Sequence, residues 1–132
     1  MNHEIVTAEQ FFALKEALEQ RHRLSIKVVS GSMEPVLLTN QKYWVEKVDA
    51  NFKPRKFDII VYWDGTKLIC HYYDHSENVM NSDQQVWILK PLTHDREDFP
   101  VSVERVLGLV DQKIPFFRKL TLRFHRRNPL LK

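Results

Sequence analysis

Ser32 is the residue whose surroundings point most directly to chemistry. It stands in Val28-Val29-Ser30-Gly31-Ser32-Met33-Glu34-Pro35-Val36-Leu37, where a strand-like apolar run gives way to a turn of small residues. Gly31 lets the chain bend tightly and lets another backbone approach closely. Pro35 restricts the chain around it and disfavours an immediate long helix. Ser32 would then project from the turn, with nearby backbone N–H groups free to face a developing oxyanion. On residue type alone, a serine in a Gly-Ser turn is structural far more often than catalytic. It becomes a nucleophile only beside a base that takes its proton, and imidazole does this near neutral pH. His71 follows Cys70 directly, but neighbours in a strand point to opposite faces. Cys70 therefore reads as a core residue, not as half of a Cys–His pair. For His71 the plain alternative is a strand histidine packed beside Tyr72 and Tyr73. His75 could share its face only if the strand ran on, and neither a metal site nor a cofactor is expected.

The elements that must position these residues follow from periodicity and turn chemistry. Thr7-Ala8-Glu9-Gln10 has the form of a capping box. After it Phe11, Phe12, Leu14, Ala17 and Leu18 recur at helical spacing, so one amphipathic helix is expected over 8–21. From Leu24 the pattern becomes strand-like. Runs rich in Val, Ile, Tyr and Trp at 24–29, 42–48, 58–63, 67–73, 86–90 and 103–110 suit a pleated, half-buried surface. Asp64-Gly65 between two of these runs is a hairpin signal. The expected fold is mainly β: one N-terminal helix (1–23), a mostly antiparallel β domain forming a partly closed barrel (24–112), and a basic tail (113–132).

Composition sets the bounds. A chain of 132 residues, 43% hydrophobic and 28% charged, fits a single globular domain. One cysteine excludes an internal disulfide and a cysteine-rich metal site. No apolar run approaches the roughly 20 residues of a membrane-spanning helix, and the first residues lack the pattern of a secretory leader. A soluble, cytoplasmic protein is therefore the expectation.

Ser30-Gly31-Ser32-Met33-Glu34-Pro35 resembles the Ser-Gly-Ser-Met-x-Pro signature of the signal peptidase family, whose fold is shared by LexA-type self-cleaving repressors. Lys56-Phe57-Asp58-Ile59-Ile60-Val61-Tyr62 is similar to the family's Gly-Asp-Ile-Val strand. Lys67-Leu68-Ile69-Cys70-His71-Tyr72 is similar to the strand that carries the base, and Val103-Glu104-Arg105-Val106-Leu107-Gly108-Leu109-Val110 to the closing strand. The likeness spans about 24–112. It implies a signal peptidase/LexA-like barrel and a serine endopeptidase acting on a peptide or leader segment. Ser32 would be the nucleophile, and His71 the base, as in the endoplasmic-reticulum and archaeal branch. Asp98, eight positions after Lys90, would orient the histidine, with Asp95 in reserve. Ser30 and Met33 would serve the oxyanion and the substrate.

Two positions depart from the family pattern. Phe57-Asp58 stands for one Gly-Asp pair and Pro91-Leu92 for another. The second substitution removes a carboxylate near the expected site, which keeps open a weakly active or inactive module that binds a peptide or protein. No helix-turn-helix precedes the β domain, so a repressor is not expected. The tail carries seven Lys or Arg and no Asp or Glu. Read as a helix, it gathers Phe116, Phe117, Leu120 and Phe124 on one arc between basic residues, the pattern of an interfacial helix on anionic lipid. Read as a strand, Leu120, Leu122 and Phe124 alternate with Thr121 and Arg123. Peripheral attachment to an anionic membrane is one expected partner of the tail; nucleic acid is not expected.

Overall fold

A computed structural model of the chain describes residues 5–115 and 118–119. The helix α1 spans Ala8–Arg21 and opens on the capping box, with the Gln10 N–H donating to Thr7 Oγ1 and the Thr7 N–H to Gln10 Oε1. His22 ends it in the left-handed region at φ 67°, its N–H donating to Leu18 O. Phe11 and Leu18 are buried, and Phe11 stacks on Trp63 at 5.1 Å. Phe12, expected on the same face, points outward and is largely exposed.

Seven strands follow: β1 Arg23–Lys27, β2 Lys42–Glu46, β3 Ile59–Trp63, β4 Leu68–Asn78, β5 Gln85–Lys90, β6 Val101–Ser102 and β7 Val106–Val110. They form one antiparallel sheet in the order β1-β2-β7-β3-β4-β5-β6. The sheet is not closed. β1 and β6 stand at its two ends, which corrects the expected partial closure of a barrel. β6 has only two residues, which is too short a ladder to draw the far edge round. The expected strand over 103–110 is also divided, because Val103–Arg105 forms a short 3-10 turn before β7 begins.

The Asp64-Gly65 hairpin joins β3 and β4. Gly65 sits at φ 106°, and Asp64 Oδ1 accepts from the N–H groups of Thr66 and Lys67. Partial burial opposes the Asp64 charge, but these donors and the Lys67 ammonium outweigh it and hold the carboxyl below its ordinary range.

β3 is buried on both faces. Ile59 and Val61 join a core with Phe11, Leu18, Val45, Tyr72 and Leu107; Ile60 and Tyr62 join another with Tyr73, Trp87, Leu89 and Val106. The helix shares the first of these cores, and so does Ile114 from the start of the tail. The helical segment and residue 114 are therefore packed parts of the β unit. The expected lipid-facing arc of Phe116, Phe117, Leu120 and Phe124 lies outside the described residues. Among the described residues no helix is long and apolar enough to cross a membrane.

Candidate active site

The loop between β1 and β2 carries Ser30, Gly31 and Ser32. It is anchored by Met33 and Leu37, both essentially inaccessible to solvent. The Glu34 N–H donates to Gly31 O, and the N–H groups of Val36 and Leu37 to Met33 O. A Cβ at Gly31 would lie 3.2 Å from Glu34 Oε1, so the turn leaves little room for a side chain. The connection between β5 and β6 holds the loop from the other side: Leu92 N–H (2.9 Å) and Thr93 N–H (3.2 Å) both donate to Ser32 O. Pro91 and Leu92, which stand where the resembled family has Gly-Asp, are buried against this loop.

His71 comes from β4, paired with Ile60 of β3. Residues directly opposite in a sheet share a face, so His71 lies with Ile60 and Tyr62, and Cys70 lies with Val61 against the first core. The two side chains are on opposite faces, and burial pushes the Cys70 thiol up to about 12, so it remains protonated. Asp98 comes from the connection after β5, its N–H donating to Leu89 O.

These three side chains meet. Ser32 Oγ lies 3.0 Å from His71 Nε2, and His71 Nδ1 lies 2.5 Å from Asp98 Oδ2. The side chains of His71 and Asp98 are only 5% and 6% exposed. A buried carboxylate can only accept, so the network assigns the proton to Nδ1 and leaves Nε2 to accept from the serine hydroxyl. Asp95 is exposed on the same connection, and Asp98 is the one that reaches the histidine. Ser30 Oγ lies 3.1 Å from Ser32 Oγ, while the Ser32 N–H points at Ser30 Oγ from 3.4 Å. Met33, expected to touch substrate, is chiefly a core side chain that reaches the wall of the cleft.

One participant was missed from the sequence. The Tyr62 hydroxyl donates to Asp98 Oδ2 at 2.7 Å, the same oxygen that accepts from His71. Burial, and then the hydrogen bond and charge of Asp98, hold the Tyr62 phenol far above its ordinary pKa. The sequence offered only a faint signal: Tyr62 is a polar-tipped residue two places along β3 from Ile60, hence on the same face as His71.

His75 lies beyond an irregularity in β4. Tyr73 pairs with Leu89 but His75 pairs with Ile88, so Asp74 is an extra residue and the alternation reverses. The strand does run on, yet the bulge turns His75 to the face opposite His71. There its two nitrogens contact Asp74 (2.7 Å) and Glu77 (2.9 Å). Asp74, His75 and Glu97 bring three potential ligand atoms within 4.8 Å of one another. The ammonium of Lys90 lies 3.7 Å from Asp74 and 3.8 Å from Glu97, and that of Lys56 lies 3.4 Å from Asp74, so the cluster is already charge-compensated.

A cleft of about 430 Å³ opens in front of Ser32, between residues 26–30 and residues 67–71. Both walls are strand edges. The Val28 N–H donates to Gln41 O, so even-numbered residues of this segment bond toward β2, and the backbone groups of Lys27 and Val29 face away from it. On β4, Asp64 N–H to Lys67 O and Tyr73 N–H to Asp58 O fix the odd residues toward β3. The groups of Leu68 and Cys70 therefore face away, and the β5 ladder begins only at Tyr72. No family model, curated protein or solved structure matches the chain, so a reading of its chemistry rests on the relay from Ser32 through His71 to Asp98 and Tyr62, at the end of a cleft whose two strand edges are paired by none of the described residues.

Proposed function

We propose that the chain is a serine endopeptidase of the signal peptidase type, cutting an extended peptide through an acyl-enzyme. The observation that carries the reading is the continuous hydrogen-bonded relay Ser32 Oγ, His71 Nε2, His71 Nδ1, Asp98 Oδ2. A lone serine in a turn has no such chain behind it. Also in favour are the order of the motif-bearing strands, the single N-terminal helix and the mainly antiparallel sheet that suit the signal peptidase/LexA-like fold.

In this reading the peptide lies between the edges of 27–29 and 68–70, which no described residue pairs, and hydrogen-bonds through its backbone. Ser32 Oγ attacks the scissile carbonyl carbon while His71 Nε2 takes the hydroxyl proton. The resulting imidazolium is stabilised by Asp98, whose charge is itself held by the Tyr62 hydroxyl. The carbonyl oxygen becomes an oxyanion facing the Ser32 N–H and the Ser30 hydroxyl. The long Ser32 N–H to Ser30 Oγ contact, at 3.4 Å, gives that N–H little to lose in switching partners. The C–N bond then breaks and His71 returns its proton to the leaving amine. A water molecule attacks the ester with His71 again as base, the acyl C–O bond breaks, and Ser32 regains its proton.

The other reading, a peptide-binding module without turnover, draws on buried Pro91 and Leu92, which put no carboxylate where the resembled family has one. A serine-directed fluorophosphonate separates the two. An intact-mass shift on Ser32 that depends on His71 is expected of a peptidase, whereas a folded protein left unmodified would leave only the binding module.

A further inference from the structure

Building on the peptidase reading, we infer that the cleft selects peptides carrying acidic side chains beside the scissile bond. The side chains at its wall include three cations, Lys27 from β1, Lys67 from the β3–β4 hairpin and Arg96 from the connection that carries Asp98, and a single carboxylate, Asp98. That carboxylate is spent. It is buried and accepts from both His71 and Tyr62. Lys67 is partly neutralised by Asp64 at 3.5 Å. Lys27 and Arg96 are exposed, and among the described residues neither is in an ion pair with a carboxylate.

Their positions matter more than their number. Lys27 belongs to the edge whose backbone groups face the cleft, and Arg96 is two residues from Asp98. A strand laid in the cleft would thus pass two cations, one on the β1 edge and one on the connection that carries Asp98. Alternate side chains of an added strand point to opposite faces, so acidic residues one or two places from the scissile bond can meet Lys27 or Arg96 while the backbone pairs. Nearby, Arg105 lies over the Trp63 ring and Lys56 pairs with Asp74. Lys42, opposite Lys27 in the ladder, is not among the residues that line the cleft.

Binding to Ser32→Ala tests this without turnover. The probes are three short fluorescent peptide libraries, random in Ala, Ser, Leu and Val, with Glu, Gln or Lys fixed at alternate positions. The Glu library should bind roughly three- to twentyfold more tightly than the Gln library, the gain expected of two exposed charge pairs, and the Lys library should bind more weakly than either. The Glu preference should shrink as salt is raised through the range where the Debye length falls below ~8 Å. In a Lys27→Glu/Arg96→Glu background, both sites being exposed, the order of the libraries should reverse. Equal binding of all three libraries would overturn the acidic preference and leave peptide recognition standing. Binding of none, together with no cleavage by the wild-type protein, would overturn the peptidase reading with it.

Discussion

Strand β4 carries two histidines in opposite circumstances, and the contrast shows what makes one of them a candidate base. Each has a carboxylate on Nδ1, Asp98 at 2.5 Å for His71 and Asp74 at 2.7 Å for His75. The difference lies at the other nitrogen. His71 Nε2 faces a serine hydroxyl, whereas His75 Nε2 faces a second carboxylate, Glu77. Hydrogen bonds to Glu77 and Asp74 therefore raise the pKa of His75 above the ordinary 6.5 and favour its cation, which has no lone pair to offer. The side chain of His71 is 5% exposed and that of His75 41%. A histidine–aspartate pair is thus not by itself a catalytic feature; the empty acceptor aimed at a hydroxyl is.

The largest expected effect comes from removing that hydroxyl. Ser32→Ala should lower kcat/KM by roughly 10⁶-fold on a cleaved peptide with an unchanged circular dichroism spectrum, since a turn hydroxyl contributes little packing. A variant as active as the wild type would mean that another group attacks. Next in size is a matched pair of amides on the two histidines' partners. Asp98→Asn should cost about 10⁴-fold by favouring the wrong tautomer of His71, and Asp74→Asn less than about fivefold. Equal losses for the two would erase the distinction.

Tyr62→Phe probes the relay more gently. Without the phenolic donor Asp98 loses one of its two side-chain hydrogen bonds and orients His71 less firmly. A loss of about tenfold in kcat/KM is expected, the scale of a hydrogen bond to a charged group. An unchanged kcat/KM would make Tyr62 a packing residue only. His75→Gln should leave kcat/KM within about twofold. In the wild-type protein an NMR titration should place the His75 midpoint above 6.5. Because that folded-state pKa is raised, the associated stability is fully present below the unfolded value and fades as pH rises through the folded one. A midpoint at or below 6.5 would contradict the contacts on both nitrogens.

The tail gives the smallest effect on the chemistry. Ile114 is a core residue, so a truncation should spare it and remove only 120–132, four of the seven basic residues. On the proposal that the tail meets anionic lipid, this truncation keeps peptide cleavage but loses sedimentation with anionic vesicles. Retained sedimentation would end that proposal.

Much of this was legible in the sequence, and the gaps have physical causes. The capping box and the period of Phe11, Leu14 and Leu18 fixed α1 to the residue, because capping and burial agree there. The alternating runs marked the strands, but 74–78 is Asp-His-Ser-Glu-Asn, polar residues that pair on the solvent side of β4 and so lack a hydrophobic signature. The bulge that parts the histidines has no sequence mark either. Openness of the sheet depends on curvature and edge length, which binary patterning does not encode. Ser32 and His71 were singled out as a motif and a strand position, and Asp98 through a resemblance. The structure brings all three within hydrogen-bond reach, with Tyr62 unforeseen because it is 36 residues from Asp98. Phe57 is the sharpest departure. It occupies the glycine position of the resembled family at φ 78°, where a bulky residue is strained. Its ring is buried and lies 5.5 Å from that of Tyr72, so packing offsets the backbone cost.

The place of β7 in the sheet has a consequence for synthesis. It is the last strand in sequence among the described residues, yet it lies between β2 and β3. The half that carries Ser32 is β1 and β2; the half that carries His71 and leads to Asp98 is β3 to β6. Among the described residues only β7 joins their ladders. At Gly108 a Cβ would lie 2.4 Å from Glu46 O, so the final strand closes against β2 with no space to spare. A nascent chain that has not yet released residues 106–110 holds both halves of the relay without the ladder that registers them. The alignment of Ser32 with His71 thus waits on the release of residues 106–110.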